Sequence, residues 1–341
     1  MTTLDGDSSL PGAHLFSWPE GFSRIPNSEW TRAPIDDAGE NYDRAGRDGW
    51  RRSFDPIVSQ ALAVLETNDV LLDFSCGTGP VTECLLSSED RPIGVLNVDP
   101  SAKLLRVAVE KFRGDDRAAF RLLEWLSQDE RLELLTEVVD GCVLERVKVL
   151  ASTNSVHLYQ NPYATFKSWF DALRPGSIVL IASGNIRNTQ SPPDSWILGD
   201  MVIKIGDIVA NLVKREPAFT RYRRVLENAP KMSKHRQFRD SIFPPPRMLE
   251  SYLENLAKSG FEVLHTFEQT TSVPLNDFAK GVSTYHEGVL SWIGGSEKVE
   301  SISPTESAVQ DRLFFIRYAL ETLFPGSEAI PFTWTYITCR R

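Results

Sequence analysis

Cysteine is scarce in this chain of 341 residues: Cys76, Cys84, Cys142 and Cys339 are scattered, and no two form a CxxC pair. Neither a zinc knuckle nor a disulfide scaffold is expected. A reducing, cytoplasmic setting is the simpler reading. No apolar run approaches the roughly 20 residues of a membrane span. The start of the chain lacks a basic segment followed by an apolar one, so no secretory leader is expected. A basic surplus is also missing. Lys and Arg number 37 against 46 Asp and Glu, for a net charge of -9. That balance argues against an extended phosphate-binding surface and hence against nucleic acid as a partner. Internal repeats and low-complexity tracts are absent.

What is present is an ordinary globular composition, 41% hydrophobic and 24% charged. Its length suggests about two domains, or one large domain with additions. Residues 1–40 read as an irregular arm that packs Trp18, Phe22 and Trp30 on the main body. From Tyr42 to Glu66 the spacing of Trp50, Phe54, Ile57, Val58, Leu62 and Leu65 suits one or two amphipathic helices. Residues 70–74 (VLLDF), 93–98, 147–153 and 178–183 read as buried strands. Helices are expected over 81–86, 101–113 with Ser101 as N-cap, and 162–173 up to the Arg174-Pro175-Gly176 breaker. Residues 118–140 read as mostly helical, with a short strand near Phe120–Leu123. Strands alternating with helices predict an α/β fold with a parallel sheet and right-handed crossovers. Residues 187–250 then carry helical periodicity with no strand signal, as an insertion. A helix over 247–259 ends at Gly260, a strand follows at 261–268, helices return over 278–323, and 332–339 alternates as a last strand. The expected organisation is an N-terminal arm with cover helices (1–66), an α/β core (67–186), a helical cap (187–250) and a C-terminal remainder of the core (251–341).

The chemistry centres on Asp73-Phe74-Ser75-Cys76-Gly77-Thr78-Gly79, a glycine turn between the first strand and its helix. Ligands of open α/β sheets bind at the carboxyl ends of strands. Glycines there let the backbone approach a ligand closely. GxG alone is weak, but two acids flank it. Asp73 precedes the loop, and Asp99 ends the next strand, where a carboxylate accepts hydrogen bonds from both ribose hydroxyls. The loop is not a GxxxxGK[ST] phosphate loop, and Thr82 stands where a dinucleotide fold has its third glycine. An acid before the glycines would repel a pyrophosphate. It suits a cofactor with a cationic end, such as the amino-acid part of S-adenosylmethionine.

VLLDFSCGTG resembles the first motif of the class I S-adenosylmethionine-dependent methyltransferases, and LNVDP resembles their ribose-binding motif. STNSVHLYQNP and FDALRPGSIVLIASGNI are similar to the regions of their fourth and fifth strands. The resemblance covers about residues 42–185 and is weaker at the last strand. The stretch from Trp196 to Gly295 resembles bacterial members whose substrate is undefined. The resemblance implies a Rossmann-like, mostly parallel sheet with an antiparallel C-terminal strand and a helical cap insertion, with S-adenosylmethionine as cofactor. Carried over by position, Asp73 would orient the loop and help bind the methionine amino group. Ser75, Gly77 and Gly79 would present backbone to the ligand, and Asp99 would hold the ribose. Ser152, Thr153 and Asn154 would floor the sulfonium, and Tyr42 would cover the cofactor. LRPGS replaces the usual LRPGG, and no acid marks an adenine contact between 115 and 140.

His157 and Tyr159 follow the fourth strand, and His286 sits in Tyr285-His286-Glu287. These three are the candidate catalytic groups, His157 first, as an acceptor of a proton at neutral pH. Each also has a plain structural reading, as does Cys76, a small buried filler. Trp196, Tyr222, Phe238 and Phe243 are candidates to line a cap. The basic run from Lys214 to Arg239 is either a solvated face or the edge of a pocket for an anionic substrate. The expected activity is methyl transfer to a small molecule. Alternatives are a macromolecular acceptor, a cofactor-binding regulator without turnover, or a nicotinamide dehydrogenase. The oligomeric state is left open.

Overall fold

The computed structural model describes residues 16–36, 39–44 and 51–341. The expectations for Trp50 and for the start of the arm fall outside them. Seven strands form one sheet: β1 (Val70–Phe74), β2 (Gly94–Asp99), β3 (Ala118–Leu122), β4 (Val147–Thr153), β5 (Ile178–Ser183), β6 (Glu262–Pro274) and β7 (Ala329–Arg340). Their spatial order is β6-β7-β5-β4-β1-β2-β3. β1 pairs in parallel with β2 and β4, β2 with β3, and β4 with β5. β7 alone runs against its neighbours β5 and β6. Every residue of β1 and β2 is buried. A strand covered on both faces reads as a continuous apolar run, which is why these strands are visible in the sequence.

On one face of the sheet lie α1 (Asp55–Val64), α2 (Pro80–Ser88) and α3 (Ala102–Phe112). Ile57, Leu85 and Leu105 pack there against Leu71, Val95 and Val149. Ser101 does cap α3, accepting from Leu104 N–H at 3.4 Å. The other face is covered by α4 (Pro162–Ala172), by the arm and by a later helix. Phe166 and Trp169 meet Phe74, Leu150 and Val179 there. The arm closes on this face through Phe16, Trp18 and Phe22. Trp18 Nε1 donates to Asp116 O at 2.9 Å, and the Arg121 guanidinium lies 4.1 Å from the Phe22 ring centre. Trp30 packs on the opposite cluster.

Two insertions add helices. Between β5 and β6 come α5 (Leu198–Arg215), α6 (Thr220–Leu226), α7 (Ala229–Ile242) and α8 (Leu249–Ser259). Between β6 and β7 come α9 (Leu275–Thr284), α10 (His286–Leu290) and α11 (Glu306–Leu323). The two sets pack on each other, α5 on α11 and α7 on α10, and α9 packs on α11 within the second set. Met201, Ile205, Val209 and Leu212 recur at helical spacing and bury the inner stripe of α5. Gly260 ends α8 in the left-handed region at φ 107°.

Three local expectations need correction. Residues 118–140 are not mostly helical, though the short strand expected near Phe120–Leu123 is present as β3. After β3 come a two-residue antiparallel pair, Trp125–Leu126 with Arg131–Leu132, and two single-turn helices. The apolar residues that suggested helical spacing are divided between the short strand pair and the single-turn helices Leu135–Val138 and Gly141–Leu144. The inserted segment 187–250 contains a strand pairing, Arg187 with Met248. β6 runs on to Pro274, beyond residue 268, because it stays paired with β7 up to Ala329; its residues there are mostly polar and exposed, so no apolar run marks the extension.

Candidate active site

β1 and β4 are neighbours although the chain passes through β2 and β3 between them. The loop after β1 leads into α2 toward one side, and the loop after β4 turns to the other. Such a switch point leaves a crevice beyond the strand ends. A cavity of about 280 Å³ lies there. Ser75, Cys76 and Thr78 line it from the β1 loop, and Thr153, Asn154, His157 and Leu158 from the β4 end. Leu104 comes from α3. Leu198, Ile242, Phe243, Gly281, Val282 and Tyr285 come from the inserted helices.

The β1 loop is wound tightly. Ser75, Gly77 and Gly79 take φ of 60°, 56° and 77°, the left-handed region. At Gly79 a Cβ would also stand 2.7 Å from the Phe112 ring, so this position requires glycine twice over. Ser75 holds the same conformation with a side chain. Asp99 secures the loop. Its Oδ2 accepts from Gly77 N–H and its Oδ1 from Ser101 N–H, both at 2.7 Å. Burial raises its carboxyl to about 6 against the pull of those two donors. Each oxygen keeps a free lone pair for a further donor.

Asp73 is fully buried beneath the loop. Its Oδ2 lies 3.2 Å from Thr82 Oγ1, which also reaches Asn97 Oδ1 at 2.7 Å. Its Oδ1 is enclosed and has no hydrogen-bond partner among the described residues. Burial pushes this carboxyl up to about 7; the Thr82 hydrogen bond opposes and Asp99 adds to the rise. A buried carboxylate oxygen with nothing to accept is expensive unless a cation or donor meets it.

Tyr42, on the helical stretch 39–44, lies over the loop. Its ring stands 3.5 Å from where a Cβ on Gly77 would be, and its ring centre is 6.3 Å from that of Tyr285. Burial, and then Asp99, push its phenol up to about 12. Asp43 beside it accepts from Lys111 Nζ at 2.6 Å, and Lys111 also meets Glu83 at 3.3 Å. Arg51 approaches the other Glu83 oxygen at 3.4 Å. The cover stretch is thus tied to α2 and α3 by charge.

The candidate catalytic groups separate. His157 lines the cavity, with Nδ1 3.1 Å from Ser183 Oγ. Its Nε2 has no hydrogen-bond partner among the described residues. Burial, then Arg247, lower its value to about 4, so it is neutral at pH 7. Tyr159 does not line the cavity. It turns away onto Phe74 and Trp169, and its hydroxyl lies 3.2, 2.9 and 3.1 Å from those of Ser75, Ser152 and Ser155. Ser152 therefore belongs to this knot, whereas Thr153, next along the strand, faces the cavity. His286 is also remote. It accepts from the buried Arg312 guanidinium at 3.3 Å, which serves the Ile293 carbonyl as well. Its neighbour Tyr285 is the one in the cavity wall. Cys76 lines the cavity, but burial pushes its thiol well up, as suits a filler rather than a nucleophile.

Of the four candidate cap aromatics, Phe243 alone lines the cavity. Trp196 packs on Phe324, and Tyr222 is buried against Asp311 and Phe315. No residue of the run from Lys214 to Arg239 lines the cavity. Arg221 pairs with Asp311, Lys231 with Glu300, and Arg239 with Asp240. Sequence reasoning missed Leu104, Ile242, Val282 and Tyr285. For Leu104 a signal existed, since it opens the helix just after Asp99. Among the described residues no group of three His, Cys, Asp or Glu is placed to hold a metal, and no helix is long and apolar enough to cross a membrane.

The strand order, with one antiparallel strand inserted next to the edge, is that of the Rossmann-like methyltransferase fold. Neither a protein-family model nor a curated protein matches the sequence. Solved structures do align. One is phosphoethanolamine N-methyltransferase 2 of Haemonchus contortus, in complex with phosphomonomethylethanolamine and S-adenosylhomocysteine, at 14% identity and a TM-score of 0.46. The alignment covers 89% of this chain and 56% of that one, so the chain spans little more than half of the Haemonchus protein. A cyclopropane synthase of Mycobacterium tuberculosis aligns at 15% identity and TM-score 0.44, over 84% of this chain and 83% of its own. A [4+2]-cyclase aligns at 14% and 0.45, over 87% and 83%.

Proposed function

We propose that the chain is an S-adenosylmethionine-dependent methyltransferase acting on a small molecule. The observation that carries this reading is the pair of buried acids at the β1 loop, one of them with an oxygen that has no hydrogen-bond partner among the described residues. S-adenosylmethionine brings an ammonium to suit Asp73 and ribose hydroxyls to suit Asp99, and it supplies an electrophilic methyl group on a sulfonium. The orphaned buried oxygen of Asp73 and the free lone pairs of Asp99 suit those donors.

Asp73 would take the amino group, directly or through a water. Gly77 and Gly79 let the backbone lie against the ligand, and Ser75 joins them. Asp99 would accept from the ribose while holding the loop by its two backbone donors. Leu104 offers an apolar wall beside Asp99 for a base, the contact that no acid of the third strand provides. Tyr42 covers the loop and helps exclude water, which strengthens every electrostatic contact inside. Thr153 and Asn154 floor the space next to it, and His157 fixes the acceptor. At a value near 4, His157 is a weak base and a ready hydrogen-bonding group. Orientation rather than strong proton abstraction is its role, and alignment alone supplies much of a displacement reaction's acceleration.

In this reading residues 67–186 form the cofactor-binding core, 1–66 its arm and cover, 187–250 the cap, and 251–341 the rest of the core with further helices. The four scattered cysteines suit a reducing cytoplasm. Titration calorimetry with S-adenosylhomocysteine and with NAD tests the reading. Binding of the former and not the latter is expected. Binding of NAD alone would overturn it in favour of a dehydrogenase.

A further inference from the structure

The acceptor's chemistry can be read from the cavity walls, on the assumption that the β1-loop end holds the methyl donor as proposed above. The wall made by the β1 and β4 loops is polar. The opposite wall, made by the inserted helices, is Leu198, Ile242, Phe243, Val282 and Tyr285 with Gly281 between them. It bears no charge. Yet the same insertions carry nine Lys and Arg between 214 and 239. All nine are directed elsewhere than the cavity. The cavity's lining charges among the described residues are Arg51, Asp43 and Glu83, and they are already paired at the cover side: Arg51 with Glu83 at 3.4 Å, and Lys111 with Asp43 at 2.6 Å and Glu83 at 3.3 Å. A charged acceptor on this wall would give up its hydration for nothing of opposite sign.

Two neutral groups, His157 and Tyr285, stand next to the apolar wall. His157 has Nδ1 engaged by Ser183 and Nε2 without a partner among the described residues. The Tyr285 hydroxyl has no partner among the described residues either, and its ring packs edge-on to Phe243 with centres 5.8 Å apart. Both groups are neutral at pH 7, since burial lowers His157 and raises Tyr285. A hydroxyl both donates and accepts, so it can meet either tautomer of the imidazole.

We propose that the acceptor is an uncharged molecule with an apolar body, such as a phenol, its body against Phe243, Ile242 and Val282 and its hydroxyl at His157 Nε2; as the oxygen–methyl bond forms and the sulfonium–methyl bond breaks, the hydroxyl becomes acidic enough for its proton to pass to Nε2 and on to water. The anionic substrate considered from the basic run is not this acceptor.

The test uses three probes on one skeleton: 2-naphthol, 2-naphthoate and 2-naphthylmethylammonium. Each is titrated into the full chain at pH 7, with and without saturating S-adenosylhomocysteine, whose own affinity is measured first. The naphthol should bind about tenfold or more tighter than either ion. Phe243→Lys should reverse the order toward the carboxylate, and a retained thermal transition would show that it folds. Tighter binding of either ion to the unaltered chain, or no binding of any probe, overturns the proposal. If S-adenosylhomocysteine fails to bind, the methyltransferase reading falls, and the probe series in its absence still decides the charge preference.

Discussion

Replacing Tyr159 by Phe removes one oxygen from a knot of four hydroxyls. That oxygen lies 2.9 to 3.2 Å from Ser75, Ser152 and Ser155. Ser75 sits at φ 60°, where a residue with a Cβ is disfavoured by roughly 1–2 kcal/mol. The contact to Tyr159 helps hold it there. A net hydrogen bond contributes about 1 kcal/mol. Ser152 and Ser155 still bond each other at 2.7 Å after the change, and Ser75 lines the cavity where water can reach it. The expected loss of stability is therefore about 1–2 kcal/mol rather than three full bonds. The loop it frees is the one proposed to seat the cofactor, so affinity for S-adenosylhomocysteine should fall about three- to tenfold. Ser75→Gly should relieve the backbone and stabilise by up to about 1 kcal/mol. In that background Tyr159→Phe should have less effect, with a coupling of about 0.5–1 kcal/mol. Urea titrations and calorimetry on the four proteins of the cycle measure this. Strictly additive effects, or unchanged affinity in Tyr159→Phe, would refute the idea that Tyr159 acts through Ser75.

Asp73 gives a pH signature. Its folded value of about 7 lies above its unfolded one, so the folded state binds the extra proton and stability declines as pH rises from about 4 to about 7. The change is at most about 4 kcal/mol, and Asp73→Asn should flatten it in pH-dependent urea melts. A cation at Oδ1 favours the ionised form, so S-adenosylhomocysteine affinity of the parent chain should rise through pH 7, a rise that Asp73→Asn should abolish. Asp99→Ala leaves two backbone donors unmet and removes the ribose acceptor; it should lower both stability and S-adenosylhomocysteine affinity, the latter more than tenfold by about 1.5–3 kcal/mol per charge-assisted bond. His286→Ala should leave cofactor affinity unchanged, because His286 faces Arg312; a clear loss in calorimetry would place it in the site after all.

Much of the sheet was legible because β1, β2, β4 and β5 are buried on both faces and carry little but apolar residues. The Ser101 cap and the Gly260 stop were legible because each residue does what its chemistry favours. The β1 loop with Asp73 and Asp99 was legible as local pattern. The cavity's second wall was not, since Leu198, Phe243, Val282 and Tyr285 come from separate helices that meet only in the folded chain. Tyr159 and His286 show the limit of proximity in sequence. Tyr159 follows the right strand, but the single 3-10 turn Val156–Leu158 just before it leaves its ring on Trp169. His286 adjoins a cavity residue and, one position on, faces a buried arginine.

The most direct test is a crystal structure of the chain grown with S-adenosylhomocysteine. The ligand should lie along the β1 loop, with its ribose on Asp99, its amino group toward Asp73 and its sulfur near Thr153 and Asn154. Density for the ligand elsewhere, with this crevice filled by water, would contradict the account.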